Sequence, residues 1–183
     1  MKHWLRASAL ALAAASIPAL AANDRFFKEA PGSVNGFLAA KDPLYVKECG
    51  SCHFPYSPGL LPSRSWALHA ARFDRHFGET LNLPKEKQDA IVKYLTDNAA
   101  DNSKFEGSLT FMERIDPKRT PYRLQDVPLY REMHRVMLEV INKKAKIKVR
   151  TLTNCNGCHQ MADEGSFGNS ELLIPGLTVQ RGR

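Results

Sequence analysis

Past an alanine-rich opening, apolar residues recur at helical spacing in separate bursts, divided by proline- and glycine-rich breaks. Asp42-Pro43 reads as an N-cap and first helical residue, starting a short helix through Leu44, Tyr45 and Val46. A second burst, Trp66, Ala70, Phe73 and Phe77, predicts a helix from about Ser63 to Phe77 with Gly78 as its C′ residue. Pro84 opens a third helix, with Ile91, Tyr94 and Leu95 as its buried stripe and an end near Asn98. Residues 101–125 are polar and contain proline, which predicts a linker or irregular packed connection. A long amphipathic helix then starts near Asp126 and Pro128. Tyr130, Met133, His134, Met137, Leu138 and Ile141 share one face, opposite Arg131, Glu132, Arg135 and Glu139. Gly165, Gly168, Pro175 and Gly176 predict an irregular tail, and no stretch alternates as a strand does. The expected class is all-α with long irregular loops.

The opening is read separately. Lys2 and Arg6 precede an apolar run from Ala7 to Leu20, and Ala19-Leu20-Ala21 forms a small-residue cleavage site. Residues 1–21 are therefore expected to be an export signal peptide, with the mature chain starting at Ala22. No later segment approaches the roughly 18 apolar residues that a membrane span needs.

At 183 residues, with 43% hydrophobic and 25% charged, the chain suits one or two small domains rather than disorder. Four cysteines in an exported chain ordinarily indicate two disulfides. Their spacing points elsewhere. Cys49-Gly50-Ser51-Cys52-His53 and Cys155-Asn156-Gly157-Cys158-His159 are both C-x-x-C-H, the attachment signature of haem c. Two thiols three positions apart fall on one side of a helical turn, where each can add to a vinyl group of one porphyrin. The following histidine is carried under the ring, where its imidazole can bind iron. A thioredoxin-like pair needs a βαβ context that is missing here, and paired zinc knuckles need closer spacing than Cys52 to Cys155. Disulfides leave the repeated histidine unexplained. Two covalent haem c groups, on units spanning residues 22–100 and 101–183, are the expectation, with the irregular loops wrapping the haems.

The second axial ligand decides what each iron can do, because histidine closes the iron as a low-spin centre and an empty position opens it to ligands. For the first haem the candidates are His76, His69 and Met112. His69 and His76 are seven residues apart, on the face that carries Trp66 and Phe73. For the second haem the ligand must come from upstream, since the 24 residues after His159 contain no histidine and only Met161. His134, on the apolar face of the long helix, is preferred over Met133, Met137 or no ligand. Burial of its polar ring would otherwise go uncompensated.

The two motifs, together with Leu60-Leu61-Pro62, Ser65-Trp66, His76-Phe77-Gly78-Glu79, Tyr94-Leu95, Asn98-Ala99-Ala100-Asp101, His134 and Asn154, resemble the small periplasmic dihaem cytochromes c of the DHC type. The resemblance implies a periplasmic location and bis-histidine ligation at both irons, with His76 and His134 matching the family's distal positions. It also implies electron exchange with a small oxygen-binding high-spin haem protein or a membrane cytochrome b. His69 departs from the family pattern, as does the segment Ile115–Asp126.

The formal charge of +7 falls to +5 once Lys2 and Arg6 leave with the signal. Ionised propionates take a further charge of about one per ferric haem. What remains basic is local: Lys143, Lys144, Lys146, Lys148 and Arg150 form either a solvated face or a docking patch for an acidic redox partner. Nucleic acid is not an expected partner. The expected role is a one-electron carrier rather than an enzyme. Its rivals are a haem enzyme or ligand sensor with one five-coordinate iron, and a passive subunit of a larger redox complex.

Overall fold

The computed structural model describes residues 36–144, 149, 151–168 and 171–174. The predicted signal peptide lies outside the described residues, as do Pro175 and Gly176. Lys143 is described and exposed, whereas the Lys144 side chain, Lys146, Lys148 and Arg150 fall outside.

Helix α1 (Pro43–Cys49) starts as its sequence dictates: Pro43 occupies the first position and Asp42 accepts a hydrogen bond from the Tyr45 N–H at 2.8 Å. Its last residue is the first haem-motif cysteine. An ion pair of 2.7 Å between Glu48 and Lys87 ties it to α3 (Lys85–Asp97), which Pro84 and Asn98 flank as its cap residues. Ile91 and Leu95 of α3 are buried and Tyr94 packs beside them, as the stripe predicts.

Helix α2 (Ser63–Ala70) corrects the expectation of one helix reaching Phe77. It stops at Ala70; a 3₁₀ turn follows at Phe73–Arg75, and residues 76–79 close a tight turn through Glu79 N–H to the His76 carbonyl at 3.0 Å. Phe77 (φ +52°) and Gly78 (φ +101°) are both left-handed, so Gly78 serves a turn and not a helix cap. Phe77 is 48% exposed, and its place in the helical period was coincidental. The start of α2 has no cap of its own; instead Asp101 accepts from the Ser63 N–H at 2.8 Å and its hydroxyl at 2.7 Å.

A second correction concerns residues 101–125, which contain helix α4 (Glu106–Arg114). Its buried face is built from Glu106, Gly107, Ser108 and Phe111, so the residues that face inward are mostly not apolar. Helix α5 (Pro128–Lys144) follows a turn at Leu124–Asp126 and buries Leu129, Tyr130 and Ile141. Asp126 does not cap α5; its carboxylate accepts from the Arg123 and Tyr122 N–H groups of the preceding turn.

One hydrophobic core includes Tyr45, Trp66, Ile91 and Leu95 from before residue 100 and Phe111, Leu124, Val127 and Leu129 from after it. The Phe37 segment threads between the later elements. Phe37 N–H donates to Gly165 O at 2.9 Å, Gly107 N–H donates to Gly36 O at 2.9 Å, and the Phe37 ring meets Phe111 and Phe167 edge-on. Gly165 sits at φ +78° against the Phe37 backbone, where a Cβ has no room. The described elements are helices, turns and two isolated bridges, so the all-α class with long irregular loops holds. No described helix is long and apolar enough to cross a membrane.

Candidate functional site

The first motif leaves the end of α1: Cys49 is its last residue, Gly50 closes it by donating to Val46 O, and Cys52 and His53 follow in the turn. The second motif has no full helix. Cys155–Gly157 is a single 3₁₀ turn, and His159 is pinned by an isolated bridge to Leu172 and a hydrogen bond from Leu173 N–H to Cys158 O at 2.8 Å. None of the four cysteines is joined in a disulfide. Burial pushes Cys49 up to about 11 and Cys155 up to about 12, so both are neutral before attachment.

Each motif histidine is matched by a second imidazole from elsewhere in the chain. The rings of His53 and His76 have centres 6.4 Å apart with planes at 24°; those of His159 and His134 are 6.2 Å apart at 67°. An imidazole nitrogen binds a transition metal at about 2 Å and lies roughly 1.1 Å from its ring centre, so two rings on opposite sides of one metal have centres about 6.2 Å apart. Both pairs have that spacing. No cluster of three or more His, Cys, Asp or Glu side chains able to hold a metal ion occurs among the described residues. A porphyrin-borne metal takes at most two axial ligands from the chain, since the ring supplies the other four.

Hydrogen bonding sets one ring of each pair for ligation. His53 Nδ1 lies 2.8 Å from the Phe54 carbonyl and His134 Nδ1 lies 2.9 Å from the Tyr130 carbonyl. A ring that donates from Nδ1 presents an unprotonated Nε2 to a metal. Their opposite numbers, His76 and His159, have buried Nδ1 atoms without a protein partner. Burial, reinforced by the facing imidazole, lowers His76 and takes His159 to about 4; burial also lowers His134. These rings are therefore neutral near pH 7 and carry a lone pair for a metal.

The break after α2 explains how His76 reaches its place. On a continuous helix, two residues seven apart are separated by about 10 Å along the axis. The turn at residues 76–79 instead brings the His69 and His76 ring centres to 5.6 Å. His69, 8% exposed, packs in parallel on Tyr122 at 4.5 Å and near Trp66 at 5.7 Å. Burial, then His76, lowers it to about 4, against the opposing effect of the Tyr122 backbone. Met112, on α4, is partly buried against the hydrophobic core.

Around the second pair lies an apolar cleft of about 120 Å³, partly open to solvent and lined by Cys155, Cys158, His159, His134 and the α5 side chains Met133 and Met137. Aromatic neighbours complete both pairs, Tyr130 from the apolar face read off the periodicity and Tyr56 and Phe167 from outside it. Tyr56 stacks on His53 at 4.9 Å, Tyr130 on His134 at 4.0 Å, and Phe167 meets His159 edge-on at 5.3 Å. Tyr56 sits three residues after the motif histidine and Tyr130 four before His134, spacings that carry a signal only once the ring pairs are seen.

Two C-x-x-C-H segments, each with an opposed pair of imidazoles and one with an apolar cleft over its thiols, define a c-type cytochrome with two haems. The chain belongs to the dihaem cytochrome c family, whose profile matches residues 45–167, and its cofactors are two haem c groups. Among solved structures it resembles the diheme cytochrome c from Rhodobacter sphaeroides, at 34% identity and TM-score 0.60, over 71% of this chain and 99% of that one. A second structure, of DHC purified from Rhodobacter sphaeroides, matches at 32% identity and TM-score 0.53, over 71% and 100%. The diheme cytochrome sb-DHC from Shewanella baltica OS155 matches at 26% identity and TM-score 0.56, over 73% and 93%. No curated protein matches the sequence.

Proposed function

We propose that this protein is a periplasmic one-electron carrier in which both irons are closed by histidine pairs: His53 with His76, and His159 with His134. The carrying observation is the 6.4 Å and 6.2 Å spacing of those rings. Cys49 and Cys52 hold the first haem, Cys155 and Cys158 the second. When bound, each haem supplies a reversible one-electron couple between ferrous and ferric iron. The chain fixes both axial imidazoles, orients His53 and His134 through backbone carbonyls, and lines the second site with apolar side chains that exclude water. No substrate is transformed. His69 belongs to the packing behind His76, and Met112 to the core. The two haem units follow the stretches 22–100 and 101–183. The donor or acceptor is a redox protein, such as an oxygen-binding high-spin haem protein or a membrane cytochrome b, and an acidic partner would suit the basic run that begins at Lys143.

The test is the absorption spectrum of the reduced protein under carbon monoxide. Two six-coordinate haems predict an unchanged spectrum. A shifted Soret band would mean an open iron and a ligand-binding or peroxidase-like role instead.

A further inference from the structure

The two attachment motifs, about a hundred residues apart in sequence, meet through one side chain. Phe54, the residue after the first motif, is buried, and its N–H donates to Asn154 Oδ1, on the residue before the second motif, at 3.3 Å. Residues 50–55 share one groove with Asn154, Asn156 and Asp163. At one end of this junction, the His53 ring is bonded through Nδ1 to the carbonyl of the same Phe54 at 2.8 Å. At the other, Asn154 runs directly into Cys155 and is held by a hydrogen bond from Gly157 N–H to its carbonyl at 3.1 Å. The path from the His53 residue to the Cys155 residue thus runs through the Phe54 amide and the Asn154 residue and crosses one hydrogen bond, Phe54 N–H to Asn154 Oδ1.

The junction is braced. Tyr45 Oη donates to the Tyr56 carbonyl at 2.9 Å, fixing the loop that carries Phe54, and Tyr56 stacks on His53.

We propose that Asn154 is the coupling residue between the two haems, its Oδ1 accepting the Phe54 N–H and so both setting the spacing of the motifs and completing a bonded route for an electron between them. The step balances without further reagents: one electron leaves a ferrous iron, which becomes ferric, and reduces the other ferric iron, with no bond made or broken. This rests on the electron-carrier reading above.

The test compares the intact holoprotein with Asn154→Leu and Asn154→Asp, the latter keeping an acceptor oxygen. After pulse-radiolytic reduction by one electron, equilibration between the haems is timed and the spin state of each iron is recorded. Asn154→Leu is expected to slow equilibration by roughly tenfold or more with both irons still low-spin, and Asn154→Asp to stay within roughly threefold of the parent. Parent-like equilibration in low-spin Asn154→Leu overturns this proposal and leaves the carrier reading intact, whereas a high-spin iron in the parent protein overturns the carrier reading. Should Asn154→Leu fail to take up both haems, hydrogen exchange of the parent decides. A slowly exchanging Phe54 amide upholds the junction, and a freely exchanging one overturns it.

Discussion

His76 stands on a turn whose next two residues have positive φ, one of them a phenylalanine. A left-handed bulky residue costs on the order of 1–2 kcal/mol and persists only where the surroundings enforce it. Here the Phe77 ring is held by Tyr122 at 4.9 Å and by the Arg123 guanidinium at 5.0 Å, and the turn leaves the His76 ring 6.4 Å from that of His53. Replacing His76 with glycine should therefore open the first iron, giving a high-spin ferric spectrum and carbon monoxide binding on reduction, with added imidazole restoring the low-spin form. His134→Gly should do the same at the second iron. His69→Leu, by contrast, should leave both irons low-spin; a high-spin signal in that variant would make His69 the ligand. The six motif residues could be read from the sequence because thioether attachment demands fixed spacing. The choice between His69 and His76 could not, since both fit one helical face and only the break after Ala70 separates them.

Among the elements, α1, α3 and α5 were legible because each announces its start with a proline and buries a stripe of large apolar residues. Ile91, fully buried at the centre of α3, shows what that stripe is worth: Ile91→Ala is expected to lower unfolding stability by about 2–5 kcal/mol in denaturant titrations. Helix α4 gave no such signal, since Glu106, Gly107 and Ser108 form much of its buried face. Its amphipathicity is defined by what it packs on, including the close approach of Gly107 to Phe37, and not by hydropathy. The overlong reading of α2 failed for the converse reason, a phenylalanine at helical register that in fact faces solvent. The cap of α2 was equally hidden, coming from Asp101 on the far side of α3. Asp101→Ala should cost about 0.5–2 kcal/mol, as loss of an N-terminal cap does, without altering either haem spectrum.

Across the whole molecule, the stretches carrying the two motifs share one core and are joined again by Phe37, Gly165 and the Phe54–Asn154 contact. A shared core of this kind predicts one cooperative thermal transition for the holoprotein, reported alike by helix content and by both haems; separate transitions would show two independently stable units. The haems themselves belong to that account, because a chain this small gains from cofactors that fill its clefts with apolar surface. The central claim is that two histidine pairs close both irons, and the pairs differ in one property that can be measured. Their ring planes meet at 24° in the first and 67° in the second. Near-parallel axial imidazoles give a rhombic low-spin ferric signal and strongly crossed ones a highly anisotropic signal. Low-temperature EPR of the fully oxidised protein should therefore show two distinct low-spin species, one of each kind, in equal amount, whereas an axial high-spin signal from either iron would contradict the account.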